Sequence, residues 1–214
     1  MADVLGLVAG SGSLPPMMAR EARRAGWRVI AFALGDVASV ADVADRVVPC
    51  RFGEVAPILE TLAKEGVRHV VLGGRVWKDG LFHGADLDAA ARVLVGRSPD
   101  WTDEALLRTA TSVLEAMGIE LLDQRRFLAP WLAPSGRIAG PPPDAEVDQD
   151  IERGLSVARD LAERGIGQTV VVRRGTVVAV EAGRVLLVER EAIQVEAERV
   201  GISVVGVAGR SGTG

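Results

Sequence analysis

Residues 4–26, VLGLVAGSGSLPPMMAREARRAG, decide the fold that this sequence predicts. The apolar run 4–9 is typical of a buried strand, and the glycine turn GSGS at 10–13 ends it. Beyond the turn, apolar residues recur at helical spacing until Gly26, where a helix would stop. The stretch therefore predicts a strand, a glycine turn and a helix, which is the repeating unit of a parallel sheet covered by helices.

The glycine turn is also a candidate anion site. Gly10 and Gly12 can adopt positive φ angles and let a ligand approach the backbone. A helix that begins beside the turn presents unpaired N–H groups and the positive end of its dipole, which favours phosphate. Pro15 and Pro16 suit the first helical turn, where an absent N–H costs least. The dinucleotide fingerprint GxGxxG is excluded because its third glycine falls on Pro15, and a tight turn without a ligand explains the same residues.

The first half of the chain continues the alternation of strands and helices. We predict strands at 28–34, 47–49, 69–72 and 119–122, and helices at 54–65, 87–95 and 102–117. Thr102 is the predicted N-cap of the last of these helices. Buried apolar strands that alternate with amphipathic helices indicate a parallel sheet covered on both faces. We therefore predict an α/β fold with an N-terminal Rossmann-like sheet domain over residues 1–128.

A proline-rich segment separates this domain from the rest of the chain. Residues 129–146 hold five of the ten prolines and predict a linker between domains. A smaller C-terminal α/β domain is predicted over 147–207, followed by a tail at 208–214. Its predicted elements are helices at 147–164 and 189–200, strands at 168–172, 176–180, 185–188 and 202–207, and a hairpin turn at 173–175.

Composition narrows the classes of function. A formal net charge of -4 argues against a nucleic-acid binder held by phosphate contacts. Cys50 is the only cysteine, so an internal disulfide is excluded and a structural role is expected for the thiol. Two histidines are too few for a histidine-rich metal centre, so a bound metal would be a hard cation on carboxylates and phosphate oxygens. The lack of a long apolar run and of a signal peptide predicts a cytoplasmic protein.

Polar residues at the ends of predicted strands are the remaining candidates for chemistry. Gly74 and Arg75 follow the strand at 69–72, at the sheet edge where ligands of open α/β sheets bind. Arg75 is suited to a bidentate contact with phosphate, although a solvated loop arginine has the same sequence signature. Gln168 and Glu181 lie at strand ends in the C-terminal domain and face either a cleft or solvent.

Several segments, taken together, resemble one known family. They are GLVAGSGSLPPMMAREARRAG, HVVLGGRV, DEALLR, the proline-rich segment, DIERGLSVARDLAERGIGQTVVVRRGTVVAVEA and AGRVLLVEREAIQVEAERVGISVVGV, in that order within residues 4–207. This set resembles the LpxI family of UDP-2,3-diacylglucosamine pyrophosphatases. The resemblance implies a hydrolase of lipid A biosynthesis that attacks the α-phosphate of UDP-2,3-diacylglucosamine with the help of Mg²⁺. The products would be UMP and 2,3-diacylglucosamine 1-phosphate.

The resemblance also implies which partners to expect. The substrate would be a UDP-sugar lipid held between the two domains, and no nucleic acid is expected. Peripheral contact with the inner membrane and a homo-oligomer are further expectations. The predicted substrate-binding residues are Gly10, Ser11, Gly12, Leu14, Pro15, Gly74, Arg75 and Gln168.

One departure from the family pattern concerns the catalytic residues. In the family, the strand that ends in VAVEA leads into an acidic turn and an aspartate-rich run before the closing segment. Here residues 179–182 fit the earlier strand, yet the chain from Gly183 onward fits the closing segment. Several tens of residues are therefore absent, and with them the aspartates expected to carry catalysis. Glu181 is the candidate catalytic carboxylate that is left, and no metal ligand is assigned.

This departure leaves two explanations and two functions. Either the protein is a natural shortened paralogue, or a stretch of the native protein is missing from this sequence. The first function is hydrolysis of the nucleotide-sugar lipid by the family reaction. The alternative is a non-catalytic remnant of the fold that binds a nucleotide or a lipid.

Overall fold

The chain forms two compact units in a computed structural model, Met1–Ala129 and Pro130–Gly214. The residues that the structure describes are 3–35, 37–76, 86–132, 134, 136–163, 169–181, 190–202 and 204–206. No helix among them is both long enough and apolar enough to span a bilayer.

The N-terminal unit contains one parallel sheet of five strands. These are β1 (Val4–Ala9), β2 (Arg28–Ala33), β3 (Arg46–Pro49), β4 (His69–Gly73) and β5 (Glu120–Leu121). Their order across the sheet is β3-β2-β1-β4-β5, and every neighbouring pair is parallel. This is the strand order of a Rossmann-like sheet, so the predicted fold class is confirmed.

Six helices are described in the same unit. They are α1 (Leu14–Arg24), α2 (Ala38–Ala41), α3 (Ala56–Lys64), α4 (Ala89–Arg97), α5 (Asp103–Ala116) and α6 (Arg125–Leu128), and a 3₁₀ turn, Ala129–Trp131, follows. The predicted cap of α5 is confirmed, because the Thr102 side chain accepts a hydrogen bond from the amide of Ala105 at 3.2 Å. The sequence did not predict α2 and α6, since four residues are too few to show a helical period.

Continuous burial explains why the central strands were recognisable. Leu7 in β1, Phe32 in β2 and Val71 in β4 are fully buried, and their neighbours along these strands are largely buried too. A strand with helices on both faces must be apolar at successive positions, which removes the alternation of a half-exposed strand. Full burial of side chains of this size contributes about 1.5–3 kcal/mol each. The core of the unit therefore lies around the strands whose ends form the candidate site.

The C-terminal unit contains two small antiparallel sheets. Its elements are β6 (Gly136–Ala139), α7 (Ala145–Glu163), β7 (Thr169–Arg173), β8 (Thr176–Glu181), α8 (Arg190–Val200) and β9 (Val204–Gly206). Strand β6 pairs with β9, and β7 pairs with β8. The strand β6 and the 3₁₀ turn lie inside the segment predicted as a linker, 129–146. The prediction missed β6 because four residues between glycines and prolines give no strand pattern.

The β7–β8 hairpin forms as the sequence predicted. Arg174 and Gly175 at its turn have φ angles of +50° and +71°, which match the left-handed pair of a two-residue hairpin turn. The carboxylate of Asp150 in α7 accepts hydrogen bonds from both turn amides, at 2.7 and 2.6 Å. The strand predicted at 185–188 lies outside the described residues.

Candidate functional site

The candidate site lies where the order of the parallel strands reverses. The first crossovers place β2 and β3 on one side of β1, and the chain then places β4 and β5 on the other side. In open α/β sheets, ligands bind outside the carboxyl ends of the strands at such a reversal. The residues there are 10–15, which follow β1, and 74–75, which follow β4. These residues are called the β1–β4 edge below.

The two loops of the β1–β4 edge are hydrogen-bonded to each other. The amide of Gly10 donates to the carbonyl of Gly73 at 2.8 Å, which extends the parallel pairing by one bond. Ser11 and Arg75 then exchange both backbone hydrogen bonds, at 2.8 and 2.9 Å, in an isolated antiparallel bridge. Two residues that donate to and accept from each other are paired in the antiparallel manner, whereas β1 and β4 are parallel. The backbone must therefore change direction locally after β4. Gly74 makes that change with a φ of +84°.

Close backbone contact explains two of the glycines. A Cβ on Gly10 would lie 2.5 Å from the carbonyl oxygen of Arg75. A Cβ on Gly74 would lie 2.6 Å from the carbonyl oxygen of Ser11 and 2.8 Å from Pro15 Cγ. Both distances are too short for carbon beside backbone, so a side chain at either position would separate the loops. The bridge between the loops therefore requires glycine at both positions.

Gly12 differs from these two glycines. Its φ is +101°, yet a Cβ built on it would meet no atom within 4 Å. The space beside Gly12 is open among the described residues, and the residue is exposed. A ligand can therefore approach the backbone at Gly12, which is the approach that the sequence predicted for the glycine turn.

The amides available to a ligand come from the turn more than from the helix. A helix normally leaves its first N–H groups without intrahelical partners. In α1, however, Pro15 and Pro16 have no backbone N–H that could donate to a ligand. Ser13 is the N-cap and makes no side-chain capping bond. Within the described part of the chain, the amides of Gly12, Ser13 and Leu14 donate to no other residue. These three donors, next to the positive end of the α1 dipole, form the anion-binding potential of the edge.

The other predicted binding residues of the edge have different surroundings. Arg75 is exposed, and its guanidinium is suited to two parallel hydrogen bonds with a phosphate. Leu14 is half-buried. Pro15 is fully buried, so we expect it to support Gly74 from beneath instead of touching a ligand. The structure thus brings together seven of the eight predicted substrate-binding residues, Gly10, Ser11, Gly12, Leu14, Pro15, Gly74 and Arg75.

The predicted residues of the C-terminal unit are not tested by the structure. Gln168 lies outside the described residues. Glu181 is the last residue of β8, and its backbone pairs with Thr169 of β7. Its role as the catalytic carboxylate stays a prediction.

The described residues do not fit a protein-held metal centre. No group of three or more His, Cys, Asp or Glu side chains among them could hold a metal ion. The residues of the β1–β4 edge are glycine, serine, leucine, proline and arginine, which supply no carboxylate ligand. We therefore assign no step of the reaction to Mg²⁺.

Two further features of the N-terminal unit carry no chemistry. Cys50 is buried, and burial, with a smaller effect of Glu54, raises the pKa of its thiol, which leaves the unreactive neutral form.

A shallow groove on the outer face of α1 is lined by Arg20, Arg23, Arg24, Asp42 and Val43. Its charges are largely matched by acids, since Arg23 pairs with Asp45 at 3.4 Å and Arg24 pairs with Glu21. We assign no ligand to this groove.

Sequence reasoning missed one polar residue that the structure makes important, Asp88, and one side-chain contact of the predicted residue Ser11. Asp88 caps α4 by accepting from the amide of Ala91, and it also accepts from the amides of Val55 and Ala56 at the start of α3. An aspartate before a helical pattern could have identified the cap but not the contact with α3. The hydroxyl of Ser11 donates to the carbonyl of Arg75 at 3.0 Å. No sequence pattern identifies a bond between two loops this far apart.

Comparisons with known proteins agree with the sequence resemblance. The family model described as the LpxI N-terminal domain matches residues 4–131, and the LpxI C-terminal domain matches residues 134–183. The UDP-2,3-diacylglucosamine pyrophosphatase LpxI of Caulobacter vibrioides is 33% identical over 187 residues, which cover 83% of this chain and 64% of that relative. The chain thus spans a little under two thirds of this relative's length. The C-terminal match stops at 183, beside the point where the sequence departs from the family pattern.

Two solved structures show distant likenesses to this chain. UDP-glucose-4-epimerase from Stenotrophomonas maltophila has 14% identity and a TM-score of 0.36, over 56% of this chain and 36% of its own. N5-carboxyaminoimidazole ribonucleotide synthetase from Thermotoga maritima has 15% identity and a TM-score of 0.31, over 71% of this chain and 36% of its own. TM-scores this low carry no argument about this chain.

Proposed function

Since the chain belongs to the LpxI family, we propose that its substrate is UDP-2,3-diacylglucosamine and that the β1–β4 edge binds the α-phosphate of the UMP part. One observation carries the proposal. The amides of 12–14, which donate to no other described residue, and the exposed Arg75 lie on two hydrogen-bonded loops at the strand reversal, beside the open space at Gly12. Both kinds of donor suit a phosphate oxygen better than a neutral group.

The proposed reaction is hydrolysis at the α-phosphorus. A water oxygen forms a bond to that phosphorus, and the bond from phosphorus to the bridging oxygen breaks. UMP keeps the new oxygen, and 2,3-diacylglucosamine 1-phosphate leaves with the bridging oxygen. Negative charge is held on the phosphoryl oxygens during this step, where fixed N–H donors and a guanidinium stabilise it. Fixed donors are effective because they need no reorganisation during the reaction.

The attacking water needs a group that orients it and accepts its proton. Glu181 is the residue that we propose for this role. The requirement for Mg²⁺ comes from the family resemblance and stays a prediction. Adding the metal and chelating it in the same assay tests that requirement.

A second candidate function rests on where the family match ends. The C-terminal match stops at residue 183, and the chain is shorter than the Caulobacter relative. A chain that keeps the nucleotide edge and lacks the family's later aspartates would bind UMP without hydrolysing the substrate. Intact-mass measurement of the native protein would distinguish a short protein from a sequence with a missing stretch.

The chemistry of the substrate also supports a proposal about location. Two acyl chains partition into a bilayer, whereas the UDP group stays in water. We therefore propose a cytoplasmic protein that contacts the inner membrane peripherally. Homo-oligomer formation is the remaining expectation, and sedimentation of the purified chain would measure it.

Substitution of Gly12 tests the nucleotide site. Gly12→Val places a branched side chain in the open space beside the loop amides, so we expect the Kd for UMP to rise at least about tenfold, which is about 1.4 kcal/mol. Titration calorimetry with UMP measures this effect. Part of the change is backbone strain, because the φ of Gly12 is +101°.

Gly26→Val is the matched control for that strain. Gly26 has a φ of +87° and equally open surroundings, but it follows the other end of α1. We expect this variant to lose similar stability and to keep the affinity for UMP. Equal UMP affinity in folded Gly12→Val and in the unsubstituted protein would refute the proposed site.

A further inference from the structure

The hydroxyl of Ser11 joins the two loops of the β1–β4 edge. It donates to the carbonyl oxygen of Arg75 at 3.0 Å, across 64 positions of sequence. The same carbonyl accepts the amide of Ser11 at 2.8 Å. Ser11 therefore supplies two hydrogen bonds to the Arg75 carbonyl. The hydroxyl proton of Ser11 is engaged within the protein and is not available to a ligand.

The glycines around this bridge explain why the hydroxyl of Ser11 matters in addition to the two backbone hydrogen bonds. Ser11 lies between Gly10 and Gly12, and Arg75 follows Gly73 and Gly74. Glycine restricts its neighbours little, so ordering such loops costs more conformational entropy than ordering other sequences. The two backbone bonds between Ser11 and Arg75 must oppose this cost. The hydroxyl adds a bond that no glycine or alanine at position 11 can make.

The bridge also determines how Arg75 meets the site. Two directly opposed residues of an antiparallel pair carry their side chains on the same face, with Cβ atoms about 4.5–5.5 Å apart. The backbone of Arg75 therefore sets the direction in which its side chain leaves the edge. We propose that Ser11 is a positioning residue whose hydroxyl holds Arg75 in place to receive the phosphate of a uridine nucleotide. This inference rests on the proposed function of the edge.

A double-mutant cycle on UMP binding tests the inference. Ser11→Ala should raise the Kd for UMP by about threefold to tenfold, the effect of one net hydrogen bond. Arg75→Ala should raise it more, and Ser11→Ala should add nothing in the Arg75→Ala background, since Ser11 acts through Arg75. Ser11→Thr keeps the hydroxyl and should restore the affinity. Additive losses in the double variant, or a threonine variant as weak as the alanine variant, would overturn the inference.

A measurement without ligand separates this inference from the proposed function. Hydrogen exchange of the unliganded protein should show the Arg75 amide exchanging about threefold to tenfold faster in Ser11→Ala, because the bridge is loosened. The amides of β2, which do not belong to the bridge, should keep their protection. Unchanged exchange at Arg75 would overturn the role of Ser11 even if UMP binds. A wild-type chain that fails to bind UMP would refute the proposed function instead.

Discussion

In the N-terminal unit the central strands are buried on both faces, whereas few of the described apolar residues of the C-terminal unit are buried. Among the described residues, the buried hydrophobic side chains of the C-terminal unit are Ile138, Ala139 and Ala197, and all the others belong to the N-terminal unit. Val195 in α8 and Ile202 after it are instead 67% and 58% exposed. A two-stranded sheet is marginal by itself, and the C-terminal unit contains two of them.

The difference in burial between the two units agrees with how far each family model matches the chain. The N-terminal match, 4–131, covers nearly all of the N-terminal unit, and the C-terminal match ends inside the second unit at 183. The unit that the N-terminal family match covers almost entirely is the unit with a continuous core. The C-terminal unit has two small sheets, and the chain spans only 64% of the Caulobacter relative. We expect the chemistry to be impaired more than nucleotide binding, because the aspartates that the family resemblance implies for the second unit are absent from this sequence.

The largest expected effect concerns the rate of UMP release. Catalytic groups that act together lose most of the rate when one is removed. We therefore expect this 214-residue chain to release UMP from UDP-2,3-diacylglucosamine at least about a thousandfold more slowly than the Caulobacter relative under the same conditions with Mg²⁺. The assay measures UMP over time, with binding of UMP to this chain as the control for folding.

A comparable rate of UMP release would contradict this expectation. The carboxylates of this chain would then be sufficient for hydrolysis, and Glu181→Gln would be the first variant to examine. Retention of full activity by Glu181→Gln would exclude Glu181 as the group that orients the water.

The contrast between the two units can be tested through stability. Phe32→Ala removes a fully buried ring from β2, and we expect a loss of about 3–5 kcal/mol in the free energy of unfolding. Val195→Ala shortens an exposed side chain of α8 and should change stability by less than about 0.5 kcal/mol. Chemical denaturation followed by circular dichroism measures both. A loss above about 2 kcal/mol for Val195→Ala would show that α8 is covered in solution, contrary to the exposure in the structure.

The sequence predicted the fold class and the proximity of the glycine turn to Arg75 better than the details of either. Strands β1, β2 and β4 were recognisable because burial on both faces makes them apolar at successive positions. The glycine turn and Arg75 could be placed at one edge because parallel strands end together. The bridge between Ser11 and Arg75 could not be predicted, since it depends on how two distant loops meet after their strands end. Strand β6 and helices α2 and α6 were missed because four residues show no period.

The smallest expected effect concerns the Asp88 cap and its dependence on pH. Burial raises the pKa of Asp88, but the backbone hydrogen bonds that its carboxylate accepts outweigh this effect and hold the pKa below its ordinary value. A lowered pKa means that the charged form stabilises the folded state above the ordinary aspartate pKa of about 4. That stabilisation is lost as the pH falls through the lower pKa of the folded state. Replacement by Asn keeps an acceptor and removes the charge.

We therefore expect Asp88→Asn to lower the free energy of unfolding at pH 7, by an amount that shrinks progressively as the pH falls below about 4. Thr109→Ala is the control, because the hydroxyl of Thr109 donates to the backbone carbonyl of Ala105 at 2.9 Å and neither group titrates in this range. Its effect on the free energy of unfolding should stay constant with pH. Urea denaturation of both variants and the unsubstituted protein between pH 7 and pH 3 measures the two dependences. A cost for Asp88→Asn that does not change with pH would mean that the charge of Asp88 contributes nothing beyond its role as an acceptor. The link between α3 and α4 would then be a neutral hydrogen-bonded contact, replaceable by any residue that presents an oxygen to the three amides.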